Sequence, residues 1–195
     1  MIDFSYSHLL FGIGILAIIL IRLKTQTRSF WYLLFFSVFW IYLLFVLGTI
    51  IFPIAPLPMT YRDEFRLSIN FIPFYFGACD PRDLCLRNIV GNILLTVPFG
   101  LGISFITGLR WKDVIWLSPS VGLVFEGLQL MIAFLFRSTF RVVDINDVIL
   151  NALGVWLGYL LFRMFGSFYL FVTKRFEIRD QSLSAYIYEV LHQSQ

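Results

Sequence analysis

Charged residues are scarce in this chain of 195 residues. Only 14% of the chain is Asp, Glu, Lys or Arg, whereas a soluble domain carries about 25%. Hydrophobic residues make up 59%. This composition excludes an ordinary soluble domain and predicts an integral membrane protein. The formal net charge is only +3 and the basic residues form no continuous stripe, so nucleic acid is not an expected partner.

Histidine and cysteine are equally scarce, with two of each. His8 and His192 lie near opposite ends of the chain, and neither has a neighbour at metal-ligand spacing. The sequence also has no nucleophile elbow, phosphate-binding loop, zinc pattern or catalytic Cys–His pair. We therefore expect no metal site and no cofactor, and no motif assigns an enzymatic reaction.

Long apolar runs, in contrast, are abundant. A helix that spans a membrane needs about 20 mainly apolar residues, and the runs that meet this requirement suggest a bundle of about five transmembrane helices. They are Phe4–Leu23, Phe30–Phe52, Ile89–Thr107, Val114–Phe136 and Val148–Val172. The basic stretch "RLKTQTR" follows the first run, which is typical of a membrane anchor and not of a signal peptide. The fold prediction is an all-α integral membrane protein with a single domain over residues 1–195.

Lysine and arginine set the expected orientation, because the cytoplasmic loops of membrane proteins are enriched in both. If the N-terminus is outside, eight basic residues fall in the inner loops and six in the outer loops. The inner loops are short and densely basic, whereas acidic residues dilute the charge of the outer ones. We expect a multi-pass protein of the plasma membrane with its N-terminus outside and its C-terminus inside.

The segment Pro53–Arg87 is too long for a plain connection between two helices. It contains "INFIPFYFGACDPRDLCL", an apolar and aromatic patch that is too short to span a membrane. One interpretation is an interfacial or re-entrant element packed on the bundle, and the other is a surface loop with a hydrophobic docking patch. Cys79 and Cys85 lie in this segment, either as a small disulfide or as two thiols.

Polar residues occur at the start of the fifth run, where a membrane penalises them. On a helix, Asp144, Asp147 and Asn151 would fall within an arc of about 60°, with Arg141 one turn earlier on the same side. Helix capping is the structural alternative, with Asp144 or Asn146 as the N-cap. Capping does not account for Asn151, which lies a full turn deeper.

Two other runs carry polar pairs at helical spacing. Glu126 and Gln129 share one face of the fourth run, and Glu126 lies where a carboxylate must be paired, protonated or in contact with water. Asn88 and Asn92 share a face of the third run. Hydrogen bonding within the bundle and helix–helix packing are the structural alternatives for these pairs.

In the expected topology all these polar residues fall in the outer half of the membrane. The third to fifth runs are joined by short loops, so we expect the three helices to be neighbours. One outward-facing polar pocket would account for all the candidate ligand-binding residues: Asn88, Asn92, Glu126, Gln129, Arg141, Asp144, Asp147 and Asn151.

Four sequence blocks resemble the VanZ-like family, in family order and at family-like spacing. They are "NFIPF" at Asn70–Phe74, "NIVGNILLTVPFG" at Asn88–Gly100, "EGLQ" at Glu126–Gln129 and "RVVDINDVILNALGVWLGY" at Arg141–Tyr159. The similarity covers roughly Asn70 to Leu161, within a family-like core at about residues 47–165. One departure is "FRSTF" before Arg141, where the family more often has a glycine–arginine turn.

The resemblance implies a bacterial multi-spanning membrane protein that contributes to glycopeptide resistance. The family's namesake is an accessory factor that gives low-level resistance to teicoplanin. No particular reaction is implied. The expected ligand of the pocket is amphipathic, either a lipid-linked cell-wall component or a lipoglycopeptide antibiotic, and the expected partners are membrane lipids. The apolar patch of Pro53–Arg87 would suit acyl chains.

Two functions of other classes are alternatives to binding. An intramembrane enzyme could use Glu126, Asp144 and Asp147 as a general acid and base on a lipid-linked substrate. A small transporter could use Glu126 as a proton relay and a kink at Pro98 as a hinge. A purely structural role for the polar residues is the remaining possibility.

Overall fold

A computed structural model describes residues 3–56, 67–76, 82–137, 143–176 and 182–194, with the backbone alone at residues 82–85. Within these ranges the chain forms six α-helices and two short β-strands. In chain order they are α1 (Tyr6–Thr25), α2 (Phe30–Ile51), β1 (Ile69–Asn70), α3 (Arg82–Thr107), α4 (Trp111–Phe136), β2 (Val143–Asp144), α5 (Ile145–Phe176) and α6 (Leu183–Gln193). Cys79 and the side chain of Cys85 lie outside the described part of the chain, and so does the prediction made for them.

The five helices α1 to α5 are long and apolar enough to cross a membrane. They correspond to the five apolar runs of the sequence, and the predicted all-α membrane bundle is confirmed. Helix α5 is the most buried of the five and packs along both α3 and α4, whereas α1 is the least buried and packs on α2. The expectation that α3, α4 and α5 are neighbours is therefore confirmed for α5 with each of the other two, and α3 and α4 lie on either side of α5.

Small residues allow α3 and α5 to approach closely. Gly154 and Gly158 lie one turn apart on α5 and face α3. A Cβ atom at Gly158 would overlap the carbonyl oxygen of Val97, and one at Gly154 would overlap the hydroxyl of Thr96. Since an apolar surface gives helices in a membrane little reason to associate, such close backbone packing is a main source of their affinity.

The apolar segment before α3 is docked on the bundle by a short parallel β-bridge. Ile69 lies opposite Val143 and Asn70 lies opposite Asp144, and the Val143 N–H donates to the carbonyl oxygen of Ser68 at 3.1 Å. After the bridge, residues 71–76 expose their side chains, Phe74 by 76%. Residues 67–76 therefore form a strand and a turn held against the bundle, and their placement at a membrane interface stays a prediction.

Helix α6 was missed in the sequence, because its 11 residues are too few to span a membrane. It is amphipathic and buries Tyr186, Ile187, Val190 and Leu191 against the bundle. The Tyr186 hydroxyl donates to the carbonyl oxygen of Phe105 at 2.7 Å, and burial raises the pKa of Tyr186 to about 12. The helix thus closes the end of the bundle where α2 begins and α3 ends.

Candidate functional site

Asp144 connects three parts of the molecule by hydrogen bonds, at the end of the bundle opposite α6. Its carboxylate oxygen Oδ1 accepts hydrogen bonds from the Asn146 backbone N–H at 2.8 Å and from Asn70 Nδ2 at 2.9 Å. Its own backbone N–H donates to Glu126 Oε2 at 3.0 Å. The segment before α3, the middle of α4 and the start of α5 therefore meet at one residue. We call Asn70, Glu126, Asp144 and Asn146 the Asp144 network.

The predicted stripe on one helix face is wrong at Asp144. This residue belongs to β2 and precedes α5, which begins at Ile145. Its bond from the second N–H of the helix is that of an N-cap, so the capping alternative is confirmed for Asp144. Helical periodicity cannot distinguish a capping residue from the first residues of the helix that it caps.

Asn146 fixes the apolar segment to α5. The side chain is 2% exposed. Its Oδ1 accepts from the Phe74 backbone N–H at 2.6 Å, and its Nδ2 donates to the carbonyl oxygen of Tyr75 at 2.8 Å. The sequence suggested this residue only as an alternative cap, and it left Asn70 out of the site. The signal for Asn70 was its place in "NFIPF", a block that carries the family resemblance.

Asp147 joins α5 to α3. Its Oδ1 accepts hydrogen bonds from Asn92 Nδ2 at 2.6 Å and from Asn88 Nδ2 at 3.3 Å. The prediction that Asn88 and Asn92 share a helix face is confirmed, because both donate to the same oxygen. A half-buried carboxylate that accepts two side-chain hydrogen bonds has a structural role in addition to any functional one.

A polar cavity of about 230 Å³ opens beside this junction, between α2, α3, α4 and α5. The predicted site residues among those lining it are Asn88, Asn92, Gln129 and Asn151. Its other polar lining residues are Thr49 and Arg87, and its apolar walls are Ile50, Leu95 and Phe125. Glu126, Asp144 and Asp147 do not line this cavity, and Arg141 lies outside the described residues.

Gly91 also lines the cavity, and a Cβ atom built there would meet nothing within 4 Å. No other helix in the described part of the chain packs closely against Gly91. The open space beside this glycine faces the cavity, where it leaves room for a ligand to approach the backbone of α3.

Asn151 lines the cavity and has an unsatisfied polar atom. The residue is 2% exposed, and its backbone carbonyl oxygen accepts from the Thr96 hydroxyl at 2.8 Å. Its side-chain oxygen Oδ1 is buried and has no hydrogen-bond partner among the described residues. An unsatisfied buried acceptor costs about 1–3 kcal/mol. Such a group needs a donor from water or from a bound molecule.

Glu126 is 5% exposed and lies in the middle of a membrane-spanning helix. Its hydrogen bond to the Asp144 backbone meets the expectation that this carboxylate is paired. Glu126 is not among the residues that line the cavity described above, and its place in a ligand pocket stays a prediction. Among the described residues no group of three or more His, Cys, Asp or Glu could hold a metal ion.

These features define a multi-pass membrane protein with a polar cavity inside its helical bundle. A family model described as VanZ/LLP1 matches residues 39–166, about two thirds of the chain. The chain therefore belongs to the VanZ/LLP1 family, and the resemblance noted in its sequence is confirmed. Membership supports a general link to glycopeptide resistance. No curated protein and no solved structure matches the chain.

Proposed function

We propose that the polar cavity binds the head group of an amphipathic cell-envelope ligand in the plasma membrane of a bacterium. The ligand is a lipid-linked cell-wall component or a lipoglycopeptide antibiotic, and its binding contributes to resistance to glycopeptides such as teicoplanin. In this proposal the cavity faces the outer leaflet, with the N-terminus of the chain outside and the C-terminus inside. This orientation rests on the distribution of lysine and arginine.

The observation that carries the proposal is the unsatisfied Oδ1 of Asn151, a residue that lines the cavity. A sugar hydroxyl or a peptide N–H of the ligand would donate to it. Asn88, Asn92 and Gln129 add carboxamides to the same wall, and amides suit the hydroxyl groups of sugars. Arg87 is exposed and lines the cavity, where its guanidinium would suit a phosphate.

The surroundings of the cavity fit a ligand with one polar and one apolar part. The apolar side chains of Phe71, Ile72 and Phe74 are exposed on the segment that the Asp144 network holds against α5. An acyl chain of the ligand would lie along such a surface while its head group enters the cavity.

The test compares wild-type protein with Asn151→Ala in lipid nanodiscs, using two probes. They are fluorescently labelled teicoplanin and a lipid-linked disaccharide–pentapeptide. Loss of the acceptor should raise the Kd of at least one probe about tenfold, the equivalent of one hydrogen bond to a buried group. Ser120→Ala is the control, since this exposed hydroxyl donates to its own helix, at the carbonyl oxygen of Trp116. Equal affinity of Asn151→Ala and wild type for both probes would refute the proposal.

Two further measurements separate binding from the alternative functions. Turnover of the lipid-linked probe by wild-type protein, lost on carboxylate substitution, would assign an intramembrane enzyme. Proton-coupled flux of either probe in sealed liposomes would assign a transporter. The proposal expects neither, and it expects cells that carry Asn151→Ala to lose whatever glycopeptide resistance the wild-type protein confers.

A further inference from the structure

A second cavity, of about 300 Å³, lies at the end of the bundle that α6 closes. The start of α2, the end of α3 and one face of α6 form its walls. Its polar lining residues include Arg28, Ser29, Tyr32, Tyr186, Glu189 and Gln193. None of these residues lines the cavity of Asn151, and the proposed function does not use them.

The cavity contains one positive and one negative side chain that do not pair with each other. Among the residues that the structure describes, the only ion pair joins Arg110 and Asp113. Arg28 places its guanidinium over the ring of Tyr32, 5.1 Å from the ring centre. Glu189 Oε1 accepts a hydrogen bond from Gln193 Nε2 at 3.2 Å. The guanidinium and the carboxylate line the same small cavity but do not contact each other. Each of them can therefore bind an external group of opposite charge.

We propose that this cavity binds the phosphoethanolamine head group of a phospholipid. The phosphate would lie on Arg28 and the ammonium on the Glu189 carboxylate, so that a single zwitterion satisfies both charges. The positive end of the α2 dipole would favour the same phosphate, and the first turn of α2 contains no acidic residue to oppose it.

The position of the cavity favours a lipid over a soluble zwitterion. It lies where α2 begins and α3 ends, at the boundary that two membrane-spanning helices define. Beside the cavity, the outer surface of the bundle exposes apolar side chains such as Phe30, and the acyl chains of the lipid would lie along them. A carboxylate partner selects a primary ammonium over a quaternary one, because only the primary ammonium has N–H groups to donate.

The experiment measures which lipid the protein retains when it is released from mixed nanodiscs. The nanodiscs contain equal amounts of phosphatidylethanolamine, phosphatidylcholine and phosphatidylglycerol, and native mass spectrometry counts each retained lipid. Wild-type protein should retain phosphatidylethanolamine in preference to the other two. Arg28→Gln should lower its retention roughly tenfold, the equivalent of one charge-assisted hydrogen bond. Glu189→Gln should remove the preference for phosphatidylethanolamine over phosphatidylglycerol while phosphate binding persists.

Lys24→Gln and Asp113→Asn are the matched controls, because both residues lie at the same end of the bundle and neither lines this cavity. Both should retain lipids as wild type does. Equal retention of the three lipids by wild type would overturn the proposal, and so would an unchanged preference in Glu189→Gln. Release of the lipid by an equimolar amount of soluble glycerophosphoethanolamine would assign the cavity to a soluble ligand and would also overturn it. Each variant is checked by thermal unfolding, and since Arg28 and Glu189 are exposed both should fold.

Discussion

Two buried asparagines on α5 allow the candidate site to be tested through stability alone. Asn146 and Asn151 are five residues apart on one helix, and each is 2% exposed. The Asn146 side chain makes two hydrogen bonds to the backbone of the docked segment. The Asn151 Oδ1 makes none within the described part of the chain. If the Asn151 side chain serves to bind a ligand, Asn151→Ala should not lower the stability of the ligand-free protein, whereas Asn146→Ala should lower it.

Asn146→Ala should destabilise the protein. The change removes the hydrogen bonds to the Phe74 N–H and the Tyr75 carbonyl oxygen, each worth about 1 kcal/mol net. It also weakens the attachment of the segment, which would then depend on the β-bridge and on Asn70. We expect the free energy of unfolding to fall by about 2 kcal/mol, which for a chain of this size lowers Tm by about 4–8 °C.

Asn151→Ala should leave stability unchanged or raise it. The change removes an acceptor whose unsatisfied burial costs about 1–3 kcal/mol. It takes away few atoms, and these border a cavity that already exists. The hydrogen bond from Thr96 is retained, because its acceptor is the backbone oxygen of residue 151. We expect a gain of up to about 1 kcal/mol from these terms.

The assay is thermal unfolding of both variants and of wild type, in the same detergent and without added ligand. The expected order of Tm is Asn146→Ala lowest, with Asn151→Ala equal to wild type or above it. A fall in Tm for Asn151→Ala as large as that for Asn146→Ala would refute the reasoning. It would show that the Asn151 amide is satisfied within the folded protein, and the cavity would lose the group that carries its proposed function.

Three other predictions follow from the packing, the buried acid and the expected topology. Gly158→Ala should destabilise the protein by about 1–3 kcal/mol, because the new Cβ would overlap the backbone of α3. Gly127→Ala is the control and should not destabilise the protein, because a Cβ there meets nothing within 4 Å. Thermal unfolding of the two variants checks this difference. Glu126→Gln should insert and unfold as wild type does, because an amide oxygen can still accept from the Asp144 N–H, but it should abolish resistance; full resistance would leave Glu126 a packing residue. A membrane-impermeant maleimide should label Cys79 and Cys85 in intact cells, after reduction if they form a disulfide, and labelling only in permeabilised cells would reverse the orientation.

The membrane-spanning helices were predictable because their signal is strong and local. A run of about 20 consecutive apolar residues is rare outside a membrane span, and all five predicted runs correspond to helices. Helix α6 has no such signal, since 11 amphipathic residues after a basic stretch resemble a solvated tail. Its place is set by tertiary contacts such as the bond from the Tyr186 hydroxyl to α3, which a local pattern does not contain. The orientation of the chain in the membrane, with its N-terminus outside, remains a prediction.

Helical spacing correctly predicted some neighbours in the site and gave wrong neighbours for others. The four-residue spacing of Asn88 and Asn92 brings both amides to Asp147. The same rule extended the helix back to Asp144, which instead caps it. It also grouped Glu126 with Gln129, yet Gln129 lines the cavity and Glu126 faces the start of α5. Residues three apart on a helix differ by about 60° in direction, and this is enough to give them different neighbours.

The polar residues at the start of α5 fall into two groups, those with hydrogen-bond partners within the protein and one without. Asp144 accepts from a neighbouring segment, and Asp147 accepts from α3. A membrane penalises such groups only when they lack partners, so their presence follows from the architecture that they hold together. The Asn151 Oδ1, one turn deeper, has no partner, and no contact within the described protein accounts for an asparagine in place of an apolar residue there. Substitution of Asp144 or Asp147 should therefore have structural effects, whereas at Asn151, within α5, loss of function should occur without loss of stability.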